Sequence, residues 1–178
     1  IGSKNADDKH SLSGHVRIFK YTYNAGKDKW EWIRLGNQIP GTAQPERFGW
    51  SVDLSSDGKT VAVGAPYRDR EIQGKNSPDH GRVVVYDFDD KDNDDETDDV
   101  WVKRDTLWGP GEKSLFGYSV ALSDDGLSVA SGAPFYNGKR GYAKVNKWKN
   151  NKWEQVGGNI LNDQLQFNKG LSGSDFLG

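Results

Sequence analysis

Short segments rich in valine, isoleucine and aromatic residues alternate with polar turns along the whole chain. The apolar segments are five to eight residues long and are bounded by glycine, aspartate, asparagine, serine or proline. Such lengths and boundaries are typical of β-strands. No segment has apolar residues at positions i, i+3, i+4 and i+7 over the length that a helix needs. The pattern therefore predicts an all-β protein.

The apolar segments also recur in a constant order. Residues 48–58, which begin with Phe-Gly, return 68 positions later as residues 116–126. Residues 61–66 and 129–134 follow in the same register, and both end in Gly-Ala-Pro. Two more segments complete the unit. One opens with glycine, at Gly14, Gly81 and Gly141. The other contains tryptophan, at residues 30–37, 101–108 and 153–159.

The turns between the first two segments of each unit predict hairpins. Asp57-Gly58 and Asp125-Gly126 favour tight reversals, because glycine readily takes the positive φ that such turns need. A repeated four-stranded antiparallel unit, with small residues on its inner strand, is typical of a β-propeller blade. Each blade buries its apolar faces against the neighbouring blades, as in other repeat proteins.

We therefore expect one partial β-propeller of about two and a half blades. We expect the end of one blade at residues 1–47, a second blade at 48–108, a third blade at 116–156 and the start of the next at 157–178. A propeller ring takes about four to eight blades. We accordingly expect a fragment of a larger protein, or a half-ring that a partner completes.

The large apolar residues of these segments are the predicted core between blades. They are Phe48, Trp50, Phe116, Tyr118, Val61, Val63, Val83, Val85, Trp32 and Trp153.

The order Phe-Gly, Asp-Gly, Gly-Ala-Pro in residues 48–66 and 116–134 resembles FG-GAP repeats, which form the propeller of integrin α-subunits and of many microbial and algal-type surface proteins. The Leu-Ser-x-Asp-Gly turn resembles one subgroup of them. The resemblance implies a β-propeller in an extracellular, lumenal or cell-surface protein. Because propellers host many unrelated activities, the resemblance does not fix the function. We expect a non-enzymatic protein-interaction or structural module.

The resemblance raises the question of calcium, because in integrin-type blades the turn is a calcium loop. Here Asp53, Ser55 and Asp57 take the alternate positions, but Val61 stands where the last carboxylate belongs. The second copy has fewer side-chain oxygens at these positions, which are Ala121, Ser123, Asp125 and Val129. Because Ca²⁺ takes six to eight oxygen ligands, we expect metal-free hairpins and no cofactor.

The acidic run at residues 87–99 is the most biased stretch. Asp90, Asp92 and Asp94 have the spacing of a calcium loop, but Asp95 replaces the glycine that such loops require. We expect a solvated loop. The alternative is a weak cation site or an acidic patch for a basic partner.

Composition excludes several other functions. The chain has no cysteine, which excludes disulfides and thiolate zinc sites, and its net charge of −2 argues against a nucleic-acid partner. No apolar run is long enough to span a membrane.

His10, His15 and His80 are expected to be surface or strand-edge residues. The alternating lysines and tryptophans of residues 144–153 predict a half-exposed outer strand, with polyanion binding as the alternative.

Function is expected in the loops. A protein partner is predicted to bind residues 3–13, 68–80 and 89–99, because loops on a stiff scaffold commonly carry binding. The alternative is a glycan bound on exposed Trp50, Trp108 or Trp148. A third hypothesis is a hydrolase with a carboxylate pair in the complete ring. No catalytic residue can be assigned from the sequence.

Overall fold

The computed structural model describes residues 1–6, 11–91 and 99–161. Almost all of its regular structure is antiparallel strand, which confirms the predicted all-β class. Its elements are β1 (Gly2–Ser3), β2 (His15–Asn24), β3 (Lys29–Pro40), β4 (Ser51–Leu54), β5 (Thr60–Ala65), β6 (Arg70–Ile72), β7 (Lys75–Ser77), β8 (Arg82–Asp89), β9 (Val100–Trp108), β10 (Ser119–Leu122), β11 (Ser128–Gly132), α1 (Tyr136–Lys139), β12 (Tyr142–Lys149) and β13 (Lys152–Leu161). None of the described helical residues forms a segment long and apolar enough to cross a membrane.

The strands form three consecutive antiparallel sheets and one small hairpin. The first sheet has the order β1-β2-β3, the second β4-β5-β8-β9 and the third β10-β11-β12-β13, while β6 pairs with β7. Successive four-stranded meanders of this kind are propeller blades, and the chain is a β-propeller segment.

The first sheet begins with the short strand β1, in which Gly2 pairs with Val16. Two details of the fold differ from the expectations. Residues 68–80 include the β6–β7 hairpin. The expected division after residue 156 falls inside β13, so residues 157–161 continue the third sheet. Residues 162–178 lie outside the described part of the chain.

Glycines set the contact between neighbouring sheets. A Cβ atom on Gly64 would lie 2.1 Å from the carbonyl oxygen of Gly117 in the next sheet. A Cβ atom on Gly2 would lie 2.2 Å from the carbonyl oxygen of Gly49, which is the same contact one sheet earlier. The glycine of Gly-Ala-Pro is therefore required because the Phe-Gly turn of the next sheet packs directly on it.

Two apolar clusters fill the spaces between the sheets. One contains Phe48 and Val63 between the first and second sheets, and the other contains Phe116 and Val85 between the second and third. Six of the predicted core residues are buried, with at most 1% of their surface exposed: Phe48, Phe116, Val61, Val63, Val83 and Val85.

The core prediction is wrong for two aromatic residues. Trp32 is 67% exposed because none of the described sheets covers its side of the first sheet. Tyr118 is 38% exposed because it follows the positive-φ turn at Gly117, just before β10 begins. Trp50, at the matching position before β4, and Trp153 are half-buried.

The alternating strand directions divide the connections between two ends of the sheets. Residues 66–81 and 133–141 connect strands at one end, and the connections between sheets, 41–50 and 109–118, lie at that same end. We call it the loop end. The Asp-Gly hairpins at residues 55–59 and 123–127 lie at the opposite end.

Candidate functional site

A row of four aromatic rings lies at the loop end of the second and third sheets. Trp50 and Tyr118 directly follow the turn glycines Gly49 and Gly117, both of which have φ +86°. Tyr67 and Phe135 directly follow Gly-Ala-Pro at the ends of β5 and β11. Because proline cannot donate to a strand ladder, the next residue leaves the sheet. The same local geometry thus places two rings at the loop end of each sheet.

The four rings form a continuous row. The ring centroids of Trp50 and Tyr67 are 5.6 Å apart, and those of Trp50 and Tyr118 are 5.0 Å apart across the two sheets. The centroids of Tyr118 and Phe135 are 6.3 Å apart, with their planes at 64°. These separations lie in the range of favourable aromatic contacts. The rings therefore hold one another in place while Tyr118 and Phe135 remain exposed.

Two cations lie over this row. The Lys4 Nζ atom is 3.7 Å from the Trp50 ring centroid, and the Arg47 guanidinium carbon is 4.4 Å from that of Tyr67. Cation–π contacts of this kind contribute about 0.5–1 kcal/mol at exposed sites. We define the inner row as Lys4, Arg47, Trp50, Tyr67, Tyr118 and Phe135.

A buried ion pair supports the inner row from beneath. Glu46 is 1% exposed, and its Oε2 atom accepts a hydrogen bond of 2.6 Å from Arg82 Nη2. Glu46 Oε1 accepts from the backbone N–H groups of Thr42 and Ala43. The Arg68 Nε atom lies 4.0 Å from Glu46 Oε2. Glu46 therefore fixes the loop that carries Arg47.

Further cations surround Trp108 beside this ion pair. The Arg70 guanidinium lies 4.9 Å from the Trp108 ring centroid, and Lys144 Nζ donates to the Trp108 carbonyl oxygen at 3.2 Å. Burial, with a smaller contribution from Arg70, lowers the pKa of Lys144. The loop end thus gathers positive charge although the whole chain has a net charge of −2.

Three arginines at the loop end carry a buried Nε atom without a hydrogen-bond partner in the described parts of the chain: Arg47, Arg68 and Arg82. These buried atoms are not accessible to a partner. The guanidinium groups place positive charge beside aromatic faces, which accept apolar and cationic groups.

Residues 41–86 match the model of the FG-GAP repeat family. The resemblance of this segment to FG-GAP repeats is confirmed. The FG-GAP match spans the loop that carries Glu46 and Arg47, the first two strands of the second sheet, and β8 as far as Tyr86. No curated protein matches the chain.

The carboxylates at the FG-GAP turn are directed to different partners. Asp57 accepts from Ser55 Oγ at 2.6 Å and from the Lys59 N–H at 2.9 Å, which lowers its pKa. Asp53 Oδ2 accepts from the backbone N–H of Leu122 in the third sheet at 2.7 Å. Asp125 repeats the turn of Asp57 with Ser123. Within residues 1–6, 11–91 and 99–161, no three acidic or histidine side chains are grouped to hold a metal ion.

Other predicted sites are dispersed. Asp92, Asp94, Asp95 and His10 lie outside the described residues, and Asp90 forms an ion pair with Lys59 at 3.1 Å. Asp89 and Val100, which flank the third predicted partner loop, lie at the end opposite the inner row. The three proposed glycan-binding tryptophans, Trp50, Trp108 and Trp148, are each half-buried.

Two structural assignments of basic and histidine residues need correction. Residues 144–153 form parts of β12 and β13, as expected for outer strands, but Lys144 packs 5.0 Å from the Phe116 ring centroid instead of facing solvent. His15 and His80 are buried at 8% and 3% exposure, not surface residues. His80 Nε2 donates to the Gly109 carbonyl oxygen at 2.9 Å, so its Nδ1 accepts from Ser77 Oγ.

The burial of His80 predicts a loss of stability in mild acid. Burial lowers the pKa of His80 below its ordinary 6.5. The imidazole of His80 therefore binds a proton more readily in the unfolded chain than in the folded one. The free energy of unfolding falls as the pH drops below about 6.5 towards the pKa of the folded state. We expect urea unfolding to show a smaller decrease in stability from about pH 7 to pH 5 in His80→Gln than in the wild type. Equal decreases would contradict the assignment.

The sequence carries one signal for the inner row, in the positions of its aromatic residues. Both repeats carry an aromatic residue after Phe-Gly and another after Gly-Ala-Pro. The sequence predicts Trp50 and Tyr118 as core, with Trp50 also a candidate for glycan binding. Lys4 falls within the predicted partner loop at residues 3–13. Arg47 gives no signal, because its contact with the Tyr67 ring arises only when separate loops meet.

Proposed function

We propose that this chain is a non-enzymatic protein-interaction module of an extracellular, lumenal or cell-surface protein. FG-GAP repeats suggest a β-propeller module that typically binds protein partners. The proposed binding surface is the inner row, and the proposed partner segment carries acidic side chains beside apolar ones.

The observation that supports this proposal is the pairing of cations with a rigid aromatic row at the loop end. Tyr118 and Phe135 are 38% and 41% exposed, and Lys4 and Arg47 lie over the adjoining rings. Interface energies are concentrated in aromatic and arginine side chains. A stiff surface of this composition loses little conformational entropy on binding.

We expect the chain to bind acidic, aromatic-containing peptides on an array more strongly than basic or neutral ones. The substitutions Arg47→Ala and Tyr118→Ser should each weaken binding about tenfold, as loss of an interface anchor does. Raising the salt concentration should also weaken binding, because exposed charges are screened.

Tyr23→Ser is the matched control, because Tyr23 lies on the outer hairpin of the first sheet and is 47% exposed, somewhat more than Tyr118 at 38%. Binding should be unchanged in this variant. Equal peptide signals from the wild type and Tyr118→Ser would refute the inner row as the binding surface.

Carbohydrate binding is the second candidate, since aromatic rings beside cations also suit sugars that carry carboxylates. A glycan array probed with the same variants separates the two. A glycan signal that Tyr118→Ser abolishes, with no peptide signal, would replace the protein partner with a carbohydrate.

A further inference from the structure

Lys144 lies on β12 at a position that the second sheet fills with a core valine. Lys144 pairs with Ser131 of β11, and the matching pair of the second sheet is Val84 with Val63. Ser131 follows Val63 by the same 68 positions that separate the two Phe-Gly segments. Val84 and Val63 are buried, at 1% and 0% exposure. The third sheet therefore places an amine where the second sheet has an apolar core.

The Lys144 side chain extends between the second and third sheets. Its Nζ atom lies 5.0 Å from the Phe116 ring centroid and donates to the Trp108 carbonyl oxygen at 3.2 Å. An ammonium group has three N–H donors. The Trp108 carbonyl is its only hydrogen-bond acceptor among the described residues. The Lys144 ammonium therefore has donors to spare.

A second cation lies beside Lys144 at the same tryptophan. The Arg70 guanidinium carbon is 4.9 Å from the Trp108 ring centroid. Burial lowers the pKa of Lys144, and the positive charge of Arg70 lowers it further. Within the described residues, no carboxylate oxygen lies within 4.0 Å of the side-chain nitrogen atoms of Arg70 or Lys144. The two like charges therefore repel each other without a counter-ion of their own.

Two carboxylates of the loop end have other partners. Glu46 accepts a hydrogen bond of 2.6 Å from Arg82. Asp69 accepts from the Asn76 side chain at 3.1 Å and from the backbone N–H of Asp79 at 2.9 Å. The positive charge at Trp108 is therefore not balanced by either of these carboxylates.

Neighbouring residues hold Trp108 and its two cations in place. The His80 ring centroid lies 6.2 Å from that of Trp108, and the Arg82 guanidinium carbon lies 6.0 Å from the same centroid. Lys144 is fixed by its strand and by its hydrogen bond to the Trp108 carbonyl, and Arg70 belongs to the β6–β7 hairpin. Donors that are already in position lose little conformational entropy when a ligand binds.

The two cations lie where the second and third sheets meet at the loop end. Each of these sheets has four strands in the described part of the chain. Arg70, Trp108 and Lys144 are each half-buried, so one side of the cluster faces solvent. A partly buried cation attracts an anion more strongly than a fully exposed one, because less water screens the charges. This position therefore suits a small anion that approaches from the loop end.

We propose that Arg70 and Lys144 together bind an oxyanion, a carboxylate or phosphate group, beside Trp108. A guanidinium group donates two parallel hydrogen bonds to two oxygens of such a group. The spare N–H donors of Lys144 add a further charge-assisted hydrogen bond, and the bound anion relieves the repulsion between the two cations. No residue of the inner row takes part, so the proposal is independent of the proposed function.

Titration of the chain with sodium phosphate and, separately, with sodium acetate tests the proposal. Sodium chloride keeps the ionic strength constant, so that general screening does not change. In a chain that carries isotope-labelled lysine, the NMR signal of the Lys144 ε-methylene group should shift saturably with at least one of the two anions. Lys144→Met removes this signal and so assigns it. The anion that saturates the shift at the lower concentration identifies the group that the site prefers.

Melting temperatures in the same titrations compare the affinities of variants, because a ligand that binds only the folded chain stabilises it. Lys144→Met and Arg70→Gln should each weaken anion binding about tenfold, since each removes a charged hydrogen-bond donor. Both variants should fold, as circular dichroism would verify. Methionine is apolar, as Val84 is at the matching position, and Arg70 lies on a hairpin outside the four-stranded sheets.

Lys103→Met is the matched control, because Lys103 is an exposed lysine on β9. This variant loses the same charge and should bind the anions as the wild type does. A Lys144 signal that responds to phosphate and acetate no more than to chloride would overturn the proposal. Equal melting-temperature increases in the wild type, Lys144→Met and Arg70→Gln would exclude this pair as the site. A loss in Lys103→Met as large as in Lys144→Met would show attraction by overall charge and not by a site.

Discussion

The substitution Gly64→Ala is expected to lower the free energy of unfolding by about 3 kcal/mol, at the upper end of the usual cost of overpacking. The added methyl group would lie 2.1 Å from the Gly117 carbonyl oxygen, which belongs to the backbone of the third sheet. Backbone cannot move aside as a flexible side chain does, so the second and third sheets must separate. Separation would open the cluster around Phe116 to water.

Gly132→Ala is a matched control for this prediction. Gly132 occupies the same position of Gly-Ala-Pro in the third sheet, but there the nearest described atom to an added Cβ is the Ser119 hydroxyl, at 2.6 Å. A serine side chain can rotate away, so we expect a loss below about 1 kcal/mol. Chemical denaturation of both variants provides the comparison. Equal losses would show that the cost arises within one sheet and not between sheets.

The substitution Glu46→Ala is expected to lower the free energy of unfolding by about 3–5 kcal/mol, because it leaves buried partners without their acceptor. Arg82 would lose its 2.6 Å contact with the carboxylate, and the backbone N–H groups of Thr42 and Ala43 would lose theirs. Glu46→Gln keeps an acceptor for the two N–H groups and loses the charge, so an intermediate loss is expected.

Glu154→Ala is the control for Glu46. Glu154 pairs with Lys152 at 3.0 Å, but the two side chains are 40% and 65% exposed. Exposed ion pairs contribute about 0–1 kcal/mol. Urea unfolding at neutral pH measures all three variants. A loss in Glu46→Ala no greater than in Glu154→Ala would show that the buried pair does not stabilise the fold.

The repeated strand segments were predictable because each depends on local chemistry. Gly58 and Gly126 take positive φ at the turns where Asp-Gly predicted hairpins. Phe48 and Phe116 are fully buried as expected. The division of the chain into blades at particular residues stays a prediction, and β13 shows why boundaries are hard to place. Its glycine-rich half continues to pair with β12 through a bulge that composition does not reveal.

The candidate binding surface was less predictable. An aromatic residue in a strand-rich repeat is equally compatible with the core and with an exposed edge, as Trp101 and Trp32 illustrate at equivalent positions of neighbouring sheets. Trp101 is covered by the first sheet at 5% exposure, whereas Trp32 is not covered. The difference depends on which sheet lies next to each ring.

The amino-acid sequence alone determined the strands, their order within each unit, the turns and the glycines, because these follow from periodicity, backbone freedom and side-chain size over a few neighbouring residues. Only the tertiary structure decided which aromatic rings are buried and that Lys4 and Arg47 lie over one row of rings. Those properties depend on distances between residues far apart in the chain, such as Trp50 and Tyr118, and the packing of whole sheets sets such distances.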